Sequence, residues 1–279
     1  MLNFDNLSNI DTLFQISKQV KQIKMTLKKS RKPSFRSRLL SGEELVGLFV
    51  KTPSHSIVEV MGNSKMDFLV IDQEHSPIDL NAMDTCLMAG RNLDMPMFVR
   101  IQQNTATGML YPLDCGATGV IVPHVATLQK AEEIAAGGRY RGGKRGFAGT
   151  PRAGGYGTRD MNDYIDEADR ETTVIAQIED VEAVENIEQI IQVKDIDCIF
   201  LGRMDLIVGY GANSINDKIV VDAVEHVCSV ARKAGKRIAA YAKHEEKDML
   251  RALGVTMFAV GSEHNLIQKG ITNLIEDFS

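Results

Sequence analysis

The sequence predicts a (β/α)8 barrel, and three observations carry that prediction. Eight short apolar runs recur along the chain, amphipathic stretches separate several of them, and ionisable residues gather where the runs end. The first run, VGLFV (46–50), lacks the G-x-G-x-x-G that would follow the first strand of an open dinucleotide-binding sheet, which is the competing α/β architecture. The second, FLVI (68–71), runs straight into Asp72, Glu74 and His75. The third, MFVRI (97–101), holds Arg100 near its end, and GVIVP (119–123) is the fourth. TVIAQI (173–178) is closed by Glu179 and followed by the amphipathic stretch VEAVENIEQIIQV (181–193). CIFLG (198–202) is followed closely by Asp205. VVDAVEHVCSVARKAG (220–235) is a helix with Gly235 as its C-cap, and RIAAYA (237–242) and MFAVG (257–261) complete the eight. Strand alternating with helix means parallel strands, and a parallel barrel places its chemistry at the strand ends.

Residues 1–35 lie outside this pattern, so the chain divides into an N-terminal helical extension with a basic linker (1–35) and a barrel domain (36–279). Leu13, Ile16, Val20, Ile23 and Leu27 form an apolar stripe at heptad spacing over about two heptads, fit for docking or subunit packing rather than a free coiled coil. The basic run KKSRKPSFRSR that follows is read as a solvated linker.

With 279 residues, 44% of them hydrophobic and 25% charged, the chain can bury a substantial core. A formal net charge of −5 argues against a general nucleic-acid surface and leaves small anionic substrates open. The four cysteines (Cys86, Cys115, Cys198, Cys228) are scattered without C-x-x-C or metal-ligand spacing, as suits a reducing cytosol. No apolar run reaches the length of a membrane span, and Asp5 and Asp11 interrupt any signal-like stretch; a soluble, cytoplasmic protein is expected.

Glu179 and Asp205, two carboxylates from neighbouring strand ends, are a means of holding a hard divalent cation such as Mg2+ or Mn2+; alone, Glu179 reads equally as a first-turn acid of the following helix. Arg100 is either a buried salt-bridge arginine or a donor to a substrate carboxylate or developing oxyanion. His75 is the candidate general base, with Asp72 and Asp114 the acids that could orient it, against a purely structural histidine. The glycine-rich segment RGGKRGFAGTPRAGGYGT (141–158) lacks P-loop spacing and is a connector, a substrate-closing segment or a subunit contact.

In this order, DFLVIDQEHSP, FVR, LDCGATGVIVPHV, RGFAG, VIAQIED-x-EA-x-ENI and DCIFLGRMDL resemble the HpcH/HpaI family of metal-dependent, pyruvate-type aldolases from about residue 40 to the C-terminus. The resemblance implies a pyruvate/phosphoenolpyruvate-type (β/α)8 barrel whose last helix is exchanged with a neighbouring subunit, in a hexamer built as a trimer of dimers. It implies Glu179 and Asp205 as ligands of Mg2+, Mn2+ or Co2+, and His75 as proton acceptor. Arg100 and Asp114 would be transition-state residues, and Gln177, Gly202 and the backbone of Met204 beside Asp205 substrate contacts. The implied chemistry is reversible cleavage of a 4-hydroxy-2-oxo acid to pyruvate and an aldehyde. Carbon–carbon condensation to citrate for siderophore synthesis on the same scaffold, or metabolite binding without turnover, are the alternatives. Two segments depart from the family pattern. Gly202-Arg203-Met204-Asp205 stands where relatives carry Gly-Pro-Ala-Asp, and IQQNTATG follows Arg100 where many carry Pro and then Trp-Asn-Asp. Arg203 is expected either to pair with an acid of a neighbouring subunit or to reach the mouth and select anionic acceptors.

Overall fold

The computed structural model describes residues 33–279. The apolar stripe at 13–27 and most of the basic run therefore lie outside the described residues. Among these, eight parallel strands pair in chain order and close, β1 (Leu45–Val50) against β8 (Val255–Ser262). The intervening strands are β2 (Phe68–Asp72), β3 (Met97–Arg100), β4 (Gly119–Val122), β5 (Thr173–Ile178), β6 (Cys198–Leu201) and β7 (Arg237–Tyr241). All eight apolar runs are strands because each is buried on both faces, by the barrel interior and by the helical ring, which is why they read as near-continuous hydrophobic stretches.

Side-chain parity within these strands builds the interior. Phe68 and Val70, Phe98, Ile121, Ile175, and Cys198 and Phe200 point inward into one apolar cluster, while Leu69, Ile71, Val99, Val120 and Val174 point outward into the helix-facing core. The interior is tightly filled: a Cβ at Gly47 would lie 2.3 Å from Phe68 O and 2.6 Å from its ring, so only glycine admits that phenylalanine. The N-terminal end is plugged by α1 (Phe35–Ser41), whose Phe35 ring meets those of Phe68 and Phe98 edge-on at 5.8 and 4.8 Å. Part of the basic run is consequently not a solvated linker. Arg36 donates to Asp197 at 2.7 and 3.0 Å, and Arg38 pairs with Glu43 and Asp67.

Helices α2 (His55–Gly62), α3 (Leu80–Asn92), α4 (Ala106–Asp114), α5 (Leu128–Gly137), α6 (Met161–Glu171), α7 (Val181–Glu185), α8 (Ile187–Ile190), α9 (Arg203–Gly209), α10 (Lys218–Lys233) and α11 (Lys247–Ala252) form the outer layer. Several begin where a short polar side chain caps them: Asp79 accepts from Ala82 N, Thr105 from Gly108 N, and Thr127 from Lys130 N. Among the described residues, the last helix, α12 (Glu263–Asp277), is anchored at its start, where buried Glu263 accepts from Lys51 N at 2.8 Å and Thr52 N at 2.5 Å. Beyond that anchor it leaves Leu266, Ile267, Ile271, Leu274 and Ile275 exposed, with Phe278 after it. No helix among the described residues is long and apolar enough to cross a membrane.

Candidate active site

The same parity that fills the barrel carries polar side chains to its C-terminal mouth. Counting by two from Phe68 gives Asp72, from Phe98 gives Arg100, and from Ile175 gives Gln177 and Glu179; from Phe49 it gives Lys51, the first residue past β1. Strand register then decides who meets whom. Asp72 and Arg100 are partners across β2 and β3, and their side chains form a bidentate pair, Nε to Oδ1 at 3.0 Å and Nη2 to Oδ2 at 2.9 Å. Lys51 Nζ adds a second cation 2.9 Å from Asp72 Oδ2. Burial alone would raise the pKa of Asp72, which is 0% exposed, but Arg100 and Lys51 outweigh it and hold the carboxyl below its ordinary range. The Arg100 guanidinium also lies over the Phe49 ring, 4.9 Å from its centroid.

Glu179 is the opposite case. It is 2% exposed, and burial pushes its pKa up to about 7 even though Gln177 Nε2 and the backbone N–H of His124 (2.8 Å) donate to it. Its carboxylate passes over Gly202: a Cβ there would lie 2.3 Å from Glu179 Cβ and 2.8 Å from Oε2, so Gly202 is required for close approach. Two further acceptors in this mouth are buried without a hydrogen-bond donor, Gln177 Oε1 and Glu74 Oε2. Glu74 Oε2 has Arg100 Nε at 3.3 Å, outside hydrogen-bond geometry, and desolvation raises the Glu74 pKa.

His75 presents a largely exposed imidazole, Nε2 3.7 Å from Glu74 Oε2. The acids expected to steady its ring are engaged elsewhere. Asp72 holds the loop instead, accepting from the His75 backbone N–H at 3.2 Å, so Glu74 is the carboxylate beside the ring. Asp114, the last residue of α4, accepts from Arg145 at 3.2 Å and lines a separate cavity of about 260 Å3 with Asp84, Tyr111, Cys115 and Arg152. Arg145 and Arg152 tie the glycine-rich segment down, Arg145 stacking on Tyr140 (4.4 Å) and Arg152 gripping both oxygens of Asp84 at 2.5 and 2.9 Å. That segment is thus a pinned loop over α3 and α4.

Asp205 stands in the first turn of α9, partly buried, and Met204 beside it is exposed. The ligand atoms that the fold gathers within 4.8 Å of one another belong to Glu74, His124 and Glu179; Asp205 is not among the three. Arg203 follows neither expected course. It is 6% exposed and turns to β7, donating to Tyr241 O at 2.7 Å and to both oxygens of Glu246 at 3.0 and 3.1 Å in the same chain. Lys51, Asp180 and His124 escape the sequence reading although Lys51 and His124 follow strands β1 and β4 as Asp72 ends β2. Burial disfavours the charged imidazole of His124, but Glu179, Asp180 and Glu74 around it raise its pKa.

Carboxylates, an amide oxygen and an imidazole, with buried acceptors left over, are a donor set suited to a divalent cation, so the residues present fit such an ion.

Residues 45–269 match the family model described as HpcH/HpaI aldolase/citrate lyase. The chain is 30% identical over 248 residues to the 5-keto-4-deoxy-D-glucarate aldolase of Shigella boydii serotype 18, covering 88% of this chain and 95% of that one. Among solved structures it resembles an HpcH/HpaI aldolase/citrate lyase family protein from Burkholderia cenocepacia J2315, with a TM-score of 0.82 and 26% identity over 87% of this chain and 98% of the other. The citrate synthase SbnG gives a TM-score of 0.79 and 29% identity over 88% and 96%.

Proposed function

The chain belongs to the HpcH/HpaI aldolase/citrate lyase family, and from that premise we propose a divalent-metal-dependent aldolase that reversibly cleaves a 4-hydroxy-2-oxo acid to pyruvate and an aldehyde. The enzyme is a carbon–carbon lyase, like its named relatives. One observation carries the reading: at the catalytic end of the barrel, buried Glu179 is pushed up to about 7, and Glu74 Oε2 and Gln177 Oε1 are buried acceptors without a hydrogen-bond donor.

Glu179 and Asp205 would hold the cation, Mg2+, Mn2+ or Co2+, and when bound it would supply Lewis-acid stabilisation of negative charge on the 2-oxo group. The rest falls to side chains. Asp72 commits Nε and Nη2 of Arg100 and fixes its plane, which leaves Nη1 as the donor available to a substrate oxygen. His75, solvent-accessible beside Glu74, takes the proton of the 4-hydroxyl during cleavage and returns it during condensation. Phe49 lies under the Arg100 guanidinium and lends it an apolar, π-rich support.

The exposed apolar stripe of α12 supports exchange of that helix with a neighbouring copy in a homo-oligomer, a hexamer in our reading. A cytoplasmic location accords with the absence of a spanning helix among the described residues. The likeness to the citrate synthase SbnG keeps condensation of a carbon unit with oxaloacetate as a second reading. Incubation with pyruvate, a divalent cation and a panel of aldehydes, in parallel with oxaloacetate plus acetyl-CoA, separates the two. Aldol product in the first set supports the proposal, and citrate alone in the second replaces it.

A further inference from the structure

His124 sits in the left-handed region at φ 53°, unusual for a residue with a side chain, directly after β4 and Pro123. Its backbone is held from both sides: its N–H donates to Glu179 Oε1 at 2.8 Å, and its carbonyl accepts from Asn104 Nδ2 at 3.3 Å. The ring is fixed as well. Nδ1 lies 3.1 and 3.2 Å from the two oxygens of Asp180, and a carboxylate can only accept, so Nδ1 carries the proton and a neutral ring presents the lone pair of Nε2.

That lone pair is on the atom nearest Glu74: Nε2 is 3.6 Å from Oε1. The gap is too long for a hydrogen bond and close to the roughly 3.0–3.5 Å that separates two ligands held about 2.1 Å from one ion. Two acceptors of the same mouth are left over for a ligand. The Glu74 side chain is only 10% exposed and its other oxygen is buried without a hydrogen bond, and Gln177, 1% exposed, leaves Oε1 without a donor. Glu179 Oε1 lies on the Nδ1 side at 3.5 Å, and Nε2 is turned to Glu74; a carboxylate that fixes a histidine tautomer from behind, with the free nitrogen turned to another carboxylate, is the outer-shell arrangement of metal-binding imidazoles.

We propose that His124 Nε2, with Asp180 as its positioning residue, is a nitrogen ligand added to the cation that Glu179 and Asp205 would hold, with Glu74 beside it, and that it tunes the site toward borderline ions such as Co2+ over Mg2+. This rests on the metal-dependent reading above. An imidazole adds far more to a borderline cation than to Mg2+, which prefers oxygen, so the selectivity follows from the donor type.

The test is calorimetric titration of the full chain with CoCl2 and MgCl2, plus pulsed electron paramagnetic resonance of the Mn2+-loaded protein. His124→Ala is expected to weaken Co2+ at least about 10-fold and Mg2+ less than about 3-fold, and Asp180→Ala to weaken Co2+ roughly 10-fold. The nitrogen modulation of Mn2+ is expected in the wild type and in His75→Ala, and lost in His124→Ala. If the cation binds and Glu179→Gln weakens it while His124→Ala keeps the Co2+/Mg2+ ratio and the nitrogen signal, the histidine assignment falls and the metal reading stands. If the unmodified chain binds no divalent cation, both fall.

Discussion

The two ends of the barrel handle buried charge in opposite ways. At the N-terminal end, Asp197 is nearly as buried as Asp72 and Glu179 in the mouth, yet it accepts from Arg36 at 2.7 and 3.0 Å, from Val174 N at 3.0 Å and from Arg139 at 3.4 Å. Phe35 seals that end from below. At the C-terminal end, Asp72 is paired just as fully, but past the end of β5, three strands further round the barrel, Glu179 is pushed up to about 7 and two further acceptors have no hydrogen-bond donor. One end is closed by the chain's own cations and serves stability. The other holds Glu179 at a raised pKa beside acceptors without a hydrogen-bond donor, which is the pattern we read as a cation site.

Removing that carboxylate should have the largest effect. Glu179→Gln is expected to lower lyase turnover roughly 10³-fold and to weaken divalent-cation binding at least about 10²-fold, read by steady-state assay and calorimetry. Turnover within about 3-fold of wild type would erase the distinction between the two ends. Next is the mirror experiment at the sealed end. Asp197→Ala strips Arg36 and Arg139 of their shared acceptor and is expected to cost about 3–5 kcal/mol of stability in denaturant unfolding, with kcat per folded molecule unchanged. A kcat loss without a stability loss would mean that the ends are coupled. His75→Ala is expected to reduce kcat by about 10²-fold with unaltered thermal stability, since its ring is largely exposed and makes no hydrogen bond that holds the fold. A lowered melting temperature in that variant would show His75 to be a structural residue.

The contrast also explains what could be read from the sequence. Eight strands were legible because burial on both faces leaves an uninterrupted apolar signal, and the position of Asp72, His75, Arg100 and Glu179 at the mouth was legible because each stands at or just past the end of such a run. Lys51 and His124 occupy corresponding positions after β1 and β4, but a lysine past a strand reads as solvated, and a histidine after a proline reads as a turn. Pairing of β4 with β5 brings His124 against Glu179, and Glu74 meets it from the end of β2. Pairings between distant segments were not legible at all: Arg203 with Glu246, 43 positions apart, Arg36 with Asp197, and Asp114 with Arg145 in place of His75. Parity could have supplied more, since counting by two along each strand sorts Asp72, Arg100, Gln177 and Glu179 into the interior before any coordinates exist.

The smallest expected effect tests the central claim most directly. A carboxyl whose folded pKa is raised contributes stability that is complete below its unfolded value near 4.5 and is lost as pH rises through about 7. In chelator, then, wild type should lose stability relative to Glu179→Gln between pH 5 and pH 8, by on the order of 1–3 kcal/mol. The variant should melt higher at pH 8 and nearly together with wild type at pH 5. Adding a divalent cation at pH 8 should reverse the order by stabilising wild type alone. A stability difference that stays flat from pH 5 to pH 8, with the cation shifting both proteins equally, would contradict the account.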